Sequence, residues 1–167
     1  MSVNRLHAHG SKSKRMLLHG VFDTKVFGQL KKNGVKEVFV LEGRPSLDSG
    51  RRLCRELLKV KIKPVIISDN MAGFLFARDM VKDVWMSYQI MDQKGAVCRI
   101  GALILAVLAT YHHVPVSVFK SSVRTKFMGK PEDLFYFNGE RVAPAGIKAY
   151  VPLVEWVPQK YIKEYHG

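Results

Sequence analysis

Charged and polar residues cluster at three breaks between β-branched segments. The breaks hold Glu42 and Arg44, then Asp69 and Asn70, and finally Arg99, which directly precedes a long apolar segment. In a parallel sheet, ligands bind beyond the carboxyl ends of the strands, so chemistry is expected at these breaks. Arg99 is the best anion candidate, because a helix is expected to begin beside it with free amides. A surface ion pair is a nearly equal alternative for Arg99.

The other polar residues at the breaks each have two interpretations. Asp69 could bind a ligand or take part in proton transfer, but it could equally cap the helix that follows it. His19 could titrate near the cleft, although a lone histidine at a strand end is more often hydrogen-bonded scaffold. Glu42 and Arg44 could pair with each other or hold a ligand. Pro45 biases Arg44 toward an extended backbone.

The sequence predicts neither a metal site nor a cofactor. Cys54 and Cys98 are the only cysteines, and neither has a partner at ligand spacing. His7 and His9 lie two residues apart in a basic segment without a further ligand nearby. Two ordinary thiols fit a reducing compartment, so we expect a cytoplasmic protein. No apolar run reaches the length of a membrane span.

Short strands and helices alternate along the chain. Strands are predicted over residues 16–19, 35–41, 63–68, 84–87 and 114–119, helices over 24–32, 49–60, 71–80, 100–112 and 159–165, and a loop over 92–99. This alternation predicts one α/β domain over residues 16–167, with a doubly wound, mostly parallel, Rossmann-like sheet. Residues 1–15 are interpreted as a basic tail. No glycine-rich dinucleotide fingerprint follows the first strand, which argues against a nucleotide-dependent oxidoreductase.

The formal charge of +13, from 27 basic and 14 acidic residues, favours anionic partners such as phosphates or nucleic acid. Arg51, Arg55 and Lys59 recur at four-residue spacing, opposite Leu53 and Leu57. A solvated helix surface is the ordinary explanation, and we weigh it about two to one over a stripe that binds RNA or a partner. RNA is therefore a candidate partner that no RNA-binding motif supports.

The breaks also carry a family resemblance. Its motifs are Glu42-Gly43-Arg44-Pro45 with Gly50, Ile67-Ser68-Asp69-Asn70-Met71-Ala72, Arg99-Ile100-Gly101, Val114-Pro115-Val116 and a closing segment over residues 146–158. In this order and spacing the chain resembles the catalytic-domain half of the methylthioribose-1-phosphate isomerases. Ribose-1,5-bisphosphate isomerase and the alpha, beta and delta subunits of translation initiation factor 2B share that domain. The resemblance covers roughly residues 16–165 and implies a Rossmann-like fold.

The resemblance also implies which chemistry is missing. The isomerases of this superfamily use a cysteine after the first strand and an aspartate before the long loop as acid and base. The matching positions here hold Gly20 and Tyr88. Glycine does not titrate, and a phenol with an ordinary pKa near 10 is a poor base at neutral pH. Arg99 keeps a cation where the superfamily has lysine, and too few residues precede the first strand for the superfamily's helical domain.

We therefore expect a non-catalytic binding or assembly protein of the initiation factor 2B type, with a residual cleft for a phosphate-bearing small molecule. The alternative is a sugar-phosphate aldose–ketose isomerase that uses Asp69 and His19 instead. Superfamily members associate through this domain, so a homodimer or a complex with related subunits is implied, and apolar residues over 134–137 and 151–157 are candidates for the contact. The predicted ligand-binding residues are Gly20, Glu42, Arg44, Asp69, Asn70, Tyr88, Arg99 and Gly101.

Overall fold

The computed structural model describes residues 14–167, which form ten strands and five α-helices. The strands are β1 (Arg15–His19), β2 (Glu37–Leu41), β3 (Lys63–Ile67), β4 (Val81–Asp92), β5 (Gly95–Arg99), β6 (Val116–Lys120), β7 (Tyr136–Phe137), β8 (Glu140–Arg141), β9 (Val154–Pro158) and β10 (Glu164–His166). The helices are α1 (Thr24–Lys32), α2 (Asp48–Lys59), α3 (Ala72–Ala77), α4 (Ala102–Tyr111) and α5 (Glu132–Phe135).

Six parallel strands form the body of one eight-stranded sheet, in the order β10-β6-β4-β1-β2-β3. The chain runs outward from β1 to β3 and then returns to β4 on the other side of β1. The strand order therefore reverses between β1 and β4, where doubly wound folds bind ligands. The single, doubly wound α/β domain predicted from the sequence is confirmed. The tail predicted over residues 1–15 lies almost entirely outside the described residues, and Arg15 already begins β1.

Each face of the sheet has its own apolar core, because alternate side chains of a strand point to opposite faces. On one face Leu30 of α1 and Leu53 of α2 pack with Leu18 and Val40. On the opposite face α3 and α4 pack on side chains that include Leu17, Met86 and Val118. α1 and α2 thus cover one face and α3 and α4 cover the other. The carboxyl ends of the central strands meet at one edge of the sheet between these two layers.

The prediction of a loop over residues 92–99 is wrong, because residues 95–99 form strand β5. β4 continues to Asp92, and β5 turns back from Gly95 to pair antiparallel with β4 on one side and β9 on the other. Gly95 is required by close packing, because a Cβ there would overlap the carbonyl oxygen of Val157. The pairing with β9 comes from a segment about sixty residues away, which local sequence patterns do not reveal.

Two predicted helices also differ from the structure. The helix predicted over residues 159–165 is a 3₁₀ turn at Gln159–Tyr161 followed by β10, which pairs with β6. The helix predicted over 71–80 covers only Ala72–Ala77 and follows a 3₁₀ turn at Asp69–Met71. No helix within residues 14–167 is long and apolar enough to cross a membrane.

Candidate functional site

The carboxyl ends of β1, β3 and β5 bring three of the predicted polar residues together. His19 ends β1, Asp69 follows β3 and Arg99 ends β5. Both charges act on the imidazole of His19: Asp69 raises its pKa and Arg99 lowers it. His19, Asp69 and Arg99 therefore interact electrostatically, and we refer to these three residues and their surroundings as the strand-end site.

Asp69 holds the loop after β2 and does not cap the following helix. Its Oδ1 accepts a hydrogen bond from the Gly43 amide at 2.9 Å, and its Oδ2 accepts one from the Arg44 amide at 2.7 Å. Gly43 has a φ of 77°, which turns two successive amides toward the carboxylate. The 3₁₀ turn that begins at Asp69 has no side-chain cap. The capping role expected from the sequence is therefore wrong, and both carboxylate oxygens are already used.

His19 links the end of β1 to the start of α4. The side chain is 2% exposed, and its Nε2 lies 2.9 Å from the carbonyl oxygen of Ile100. Because a carbonyl accepts hydrogen bonds, Nε2 carries the proton of the neutral imidazole. Burial lowers the pKa of His19, against the opposing effect of Asp69. The buried Nδ1 has no hydrogen-bond partner among the described residues. Gly101 lies next to the ring and has a φ of 94°, a left-handed conformation that favours glycine.

Gly20 has no room for a side chain. Its φ is 114°, and a Cβ at this position would overlap the Oγ of Ser87 in the neighbouring β4. That hydroxyl accepts a hydrogen bond from the Val21 amide at 2.8 Å, so it is fixed in place. The space that a side chain at Gly20 would occupy is thus filled by Ser87, a contact that sequence reasoning missed.

Tyr88 lies in the apolar core beneath the strand-end site. Its side chain is 5% exposed and packs with Cys98, and its ring meets that of Tyr165 edge to face, with centroids 6.4 Å apart. Burial raises the pKa of the Tyr88 phenol, so even less phenolate is present to act as a base at neutral pH. Tyr88 is therefore too deeply buried to contact a ligand, contrary to the prediction.

Arg99 points toward the start of α2. Its side chain is 12% exposed, and Nη2 lies 3.7 Å from Oδ2 of Asp48. Burial lowers the pKa of Arg99, Asp48 opposes this effect, and nearby Arg52 adds to it. One amide at the start of α4 is not free to bind an anion together with Arg99, because the Leu103 amide donates to Oε1 of Glu155 at 2.9 Å. Arg99 instead forms the ion pair given as its alternative role, with its own side chain mostly buried and that of Asp48 exposed.

The first turn of α2 is the part of the site that sequence reasoning missed. Asp48 and Arg52 face Arg99, and the Oγ of Ser49 is buried without a hydrogen-bond partner among the described residues. Gly50 lets this turn pack against β2, since a Cβ there would overlap the carbonyl oxygen of Glu42. The helix itself was predicted over residues 49–60, but the position of its first turn beside Arg99 depends on a tertiary contact that has no local sequence signal.

Glu42 and Arg44 do not pair with each other. Glu42 accepts a hydrogen bond from the Ser68 hydroxyl at 3.2 Å. The Arg44 guanidinium lies over the ring of Phe137, 5.4 Å from its centroid. Arg44 therefore connects the strand-end site to the irregular segment after β6, a contact that the sequence does not indicate.

A groove of about 430 Å³ extends from the strand-end site between α3 and α4. Asp69, Asn70 and Gly101 form its polar end, where Asn70 is exposed. The remainder is apolar and is lined by Leu41, Ala72, Gly73, Ile104, Leu105 and Leu108. An apolar groove with one polar end suits a ligand with a small hydrophobic part and a polar or charged part.

Comparison with known proteins gives the family. Residues 11–165 match the sequence model of the initiation factor 2 subunit family. The chain belongs to this family. The resemblance inferred from the motifs is therefore confirmed.

Curated relatives of this initiation factor 2 family chain are methylthioribose-1-phosphate isomerases. The protein of Thermus thermophilus is 34% identical over 140 residues, which cover 77% of this chain and 42% of the relative. That of Desulforudis audaxviator is 35% identical over 138 residues, covering 75% and 40%. The chain thus spans about two fifths of the length of these relatives.

Solved structures show the same fold. 5-Methylthioribose 1-phosphate isomerase from Pyrococcus horikoshii superposes with a TM-score of 0.77 at 22% identity, over 95% of this chain and 51% of that one. The translation initiation factor eIF-2B subunit delta from A. fulgidus gives a TM-score of 0.75 at 20% identity, over 91% and 51%. Isomerases and initiation-factor subunits therefore both share the architecture of this family member.

The strand-end site of this family member offers cationic and polar groups for binding. Within residues 14–167 no three histidine, cysteine, aspartate or glutamate side chains lie close enough to hold a metal ion. His7 and His9 lie outside the described residues. Arg52 and Arg99 give the site two cations against the single carboxylate of Asp48, so the α2 side of the site is suited to an anion.

Proposed function

We propose that this family member binds a phosphate-bearing small molecule at the strand-end site and does not isomerise it. The observation that carries the proposal is the overlap between any Cβ at Gly20 and the Oγ of Ser87. No acid or base can stand at that position without displacing the side chain of Ser87 in β4. In the superfamily, the resemblance implies that this position supplies one of the two catalytic groups.

Tyr88 supports the loss of catalysis. Its phenol is buried and has a raised pKa, so it cannot replace a carboxylate base at neutral pH. A positioned general acid or base contributes typically about 10²–10⁴-fold in rate, so the loss of both removes most of the expected turnover. The role that remains is binding or assembly, as in a non-catalytic subunit.

Two cations near the start of α2 support a phosphate ligand. Arg99 and Arg52 are close enough for their charges to interact. Asp48 lies at 3.7 Å from Arg99, longer than a hydrogen bond, and is itself largely exposed. A bound phosphate can therefore replace this weak pair with shorter, charge-assisted hydrogen bonds.

The second candidate is an aldose–ketose isomerase that uses His19 and Asp69. The free Nδ1 of His19 and its proximity to Asp69 favour it, and the curated relatives carry isomerase names. Against it, both oxygens of Asp69 already accept backbone hydrogen bonds, and burial disfavours the protonated form of His19. We therefore rank it second.

Calorimetry tests the phosphate site. Wild type, Arg99→Ala and Arg99→Lys are titrated with ribose 5-phosphate, adenosine monophosphate and inorganic phosphate. A charge-assisted hydrogen bond contributes about 1.5–3 kcal/mol, so Arg99→Ala should bind roughly tenfold to a hundredfold more weakly. Arg99→Lys retains the charge and should lie between them, and Arg124→Ala, at an exposed position, should match wild type. Equal affinity of wild type and Arg99→Ala would show that Arg99 does not bind the ligand. If none of the three ligands gave a heat of binding, assembly would be the only proposed role left.

We also propose that the chain forms a homodimer through the face made by α3 and α4. α4 contains no charged residue, and its Ile104 and Tyr111 are 65% and 78% exposed. Phe74 of α3 is 56% exposed beside them. A two-fold interface brings identical patches together, so it requires a face without net charge. In the apolar segments predicted as candidates for the contact, Val151, Val154 and Val157 are buried within the chain, whereas Trp156, Tyr136 and Phe137 are exposed.

The thiols support a cytoplasmic location for this homodimer. Cys98 is buried, and burial raises its pKa to about 12, while Cys54 is only partly exposed on α2. Neither is held in a disulfide. Free thiols of this kind persist in a reducing compartment.

A further inference from the structure

Charge is divided unequally between the two faces of the sheet. α4 has no charged residue, whereas α1 and α2 on the opposite face carry seven cations and only two carboxylates, Asp48 and Glu56. All seven cationic residues are exposed: Lys25, Lys31, Lys32, Arg51, Arg52, Arg55 and Lys59. This surface, formed by the outer sides of α1 and α2, is called the basic face below.

The two carboxylates leave most of the basic face uncompensated. Glu56 pairs with Lys59 at 2.7 Å, and Asp48 pairs with Arg99, which is outside the face. Arg51 and Arg55 form no ion pair with any residue from 14 to 167. Residues 1–13 contain no aspartate or glutamate that could supply one. The repulsion among these cations is therefore not relieved within the chain.

The cations of α2 form a straight and rigid row. Arg51, Arg55 and Lys59 are four residues apart, which places them along one side of the helix at a rise of about 6 Å per step. Leu53 and Leu57 on the other side are fully buried in the core, so the helix cannot rotate. A row about 12 Å long matches a linear polyanion better than a single small anion.

We propose that the basic face binds nucleic acid through its phosphate backbone, without reading sequence. Neither helix exposes an aromatic side chain on which a base could stack, since the only aromatic residue in α1 or α2, Phe27, is buried. Base-specific readout needs contacts to base edges, whereas phosphate contacts give affinity that is independent of sequence. The basic face lies beside the strand-end site, and Asp48 and Arg52 at the start of α2 lie where the two meet.

Fluorescence anisotropy with labelled 20-nucleotide single strands of RNA and DNA tests the proposal. We expect a dissociation constant in the micromolar range at physiological salt, and similar affinity for RNA and DNA and for different sequences. Each neutralised phosphate contributes a slope of about −0.7 to the dependence of log K on log salt for a single strand. Three or four contacts therefore predict a slope of about −2 to −3.

The double variant Arg51→Ala/Arg55→Ala should bind roughly tenfold to a hundredfold more weakly at 50 mM salt, with a slope closer to zero by about 1.4. Lys94→Ala/Lys126→Ala removes the same charge from exposed positions off the basic face and should retain the affinity of wild type. Alanine is favourable in an exposed helix, so the first variant should fold, which circular dichroism checks. An equal loss in both variants, no binding by wild type, or binding only to vesicles of anionic lipid would overturn the proposal.

Discussion

At the scale of single residues, Ser87 determines what can happen at the end of β1. Its hydroxyl is fixed by the Val21 amide and fills the space that a side chain at Gly20 would need. The absence of a titrating group at Gly20 was predicted from the sequence. The steric reason why a titrating side chain cannot simply be introduced at Gly20 was not predicted. Ser87 lies about 67 residues away along the chain and contacts Gly20 only through the pairing of β1 with β4.

Gly20→Ala should lower the free energy of unfolding by about 1–3 kcal/mol, because the new Cβ meets Ser87 and the φ of 114° is unfavourable for alanine. Gly28→Ala is the matched control. Gly28 lies within α1 with nothing near its Cβ position, so alanine there should stabilise by about 0.5–1 kcal/mol. Urea denaturation of both variants measures the difference. Equal stability of the two variants would show that the Gly20 backbone is not constrained as described.

His19 makes stability depend on pH. Its pKa in the folded protein is lowered by burial, so below about pH 6.5 the unfolded chain binds more protons than the folded one. The free energy of unfolding should therefore decline as the pH falls through that range. Between pH 7.5 and 5.5 wild type should lose more stability than His19→Gln, by up to about 1 kcal/mol, since the glutamine amide can still donate to Ile100. Parallel curves for the two proteins would contradict a buried, neutral His19.

At the scale of elements, β5 and β9 connect the strand-end site to the rest of the sheet. β9 supplies Glu155, which satisfies the Leu103 amide at the start of α4. Glu155→Ala should cost about 0.5–2 kcal/mol of stability, as the loss of a helix cap does. Glu140→Ala, on the exposed β8, should change stability by less than about 0.5 kcal/mol. Thermal denaturation followed by circular dichroism compares them, and equal midpoints would show that Glu155 does not stabilise α4.

Elements defined by local patterns were predictable from the sequence, and those defined by distant pairing were not. α1 agrees with its prediction because Asp23 accepts a hydrogen bond from the Lys25 amide and Asn33 ends the helix. β10 was missed because it forms by pairing with β6, which is far away in sequence. β5 forms a hairpin with the preceding β4, but its other partner is the distant β9. The same limit applies to the site. Arg99 and Asp69 were recognised as polar residues at strand ends, but their actual partners, Asp48 and the loop after β2, depend on tertiary contacts.

At the scale of the whole molecule, the two faces of the sheet differ in the partners they suit. The basic face repels a second copy of itself, whereas the α3–α4 face is apolar and uncharged along α4. The two proposed associations are therefore compatible, since the proposed dimer uses one side of the domain and the proposed anionic partner uses the other.

Ile104→Lys should convert the proposed dimer into a monomer, because it places a charge in the middle of the uncharged face. Leu58→Lys makes the same change at an exposed position on the opposite side of the sheet and should leave the mass unchanged. Light scattering during size-exclusion chromatography at tens of micromolar protein measures both. A monomeric wild type, or dissociation by Leu58→Lys alone, would contradict the proposed interface.

The most direct test of the proposed function is turnover of methylthioribose 1-phosphate, followed by proton magnetic resonance as the aldose converts to the ketose. The isomerase of Thermus thermophilus, which is 34% identical over the shared region, serves as the positive control. With Gly20 and Tyr88 in place of the acid and base, we expect no conversion by this chain above the uncatalysed background. Conversion at ordinary enzyme rates, lost in Asp69→Asn, would contradict the account and establish the isomerase alternative.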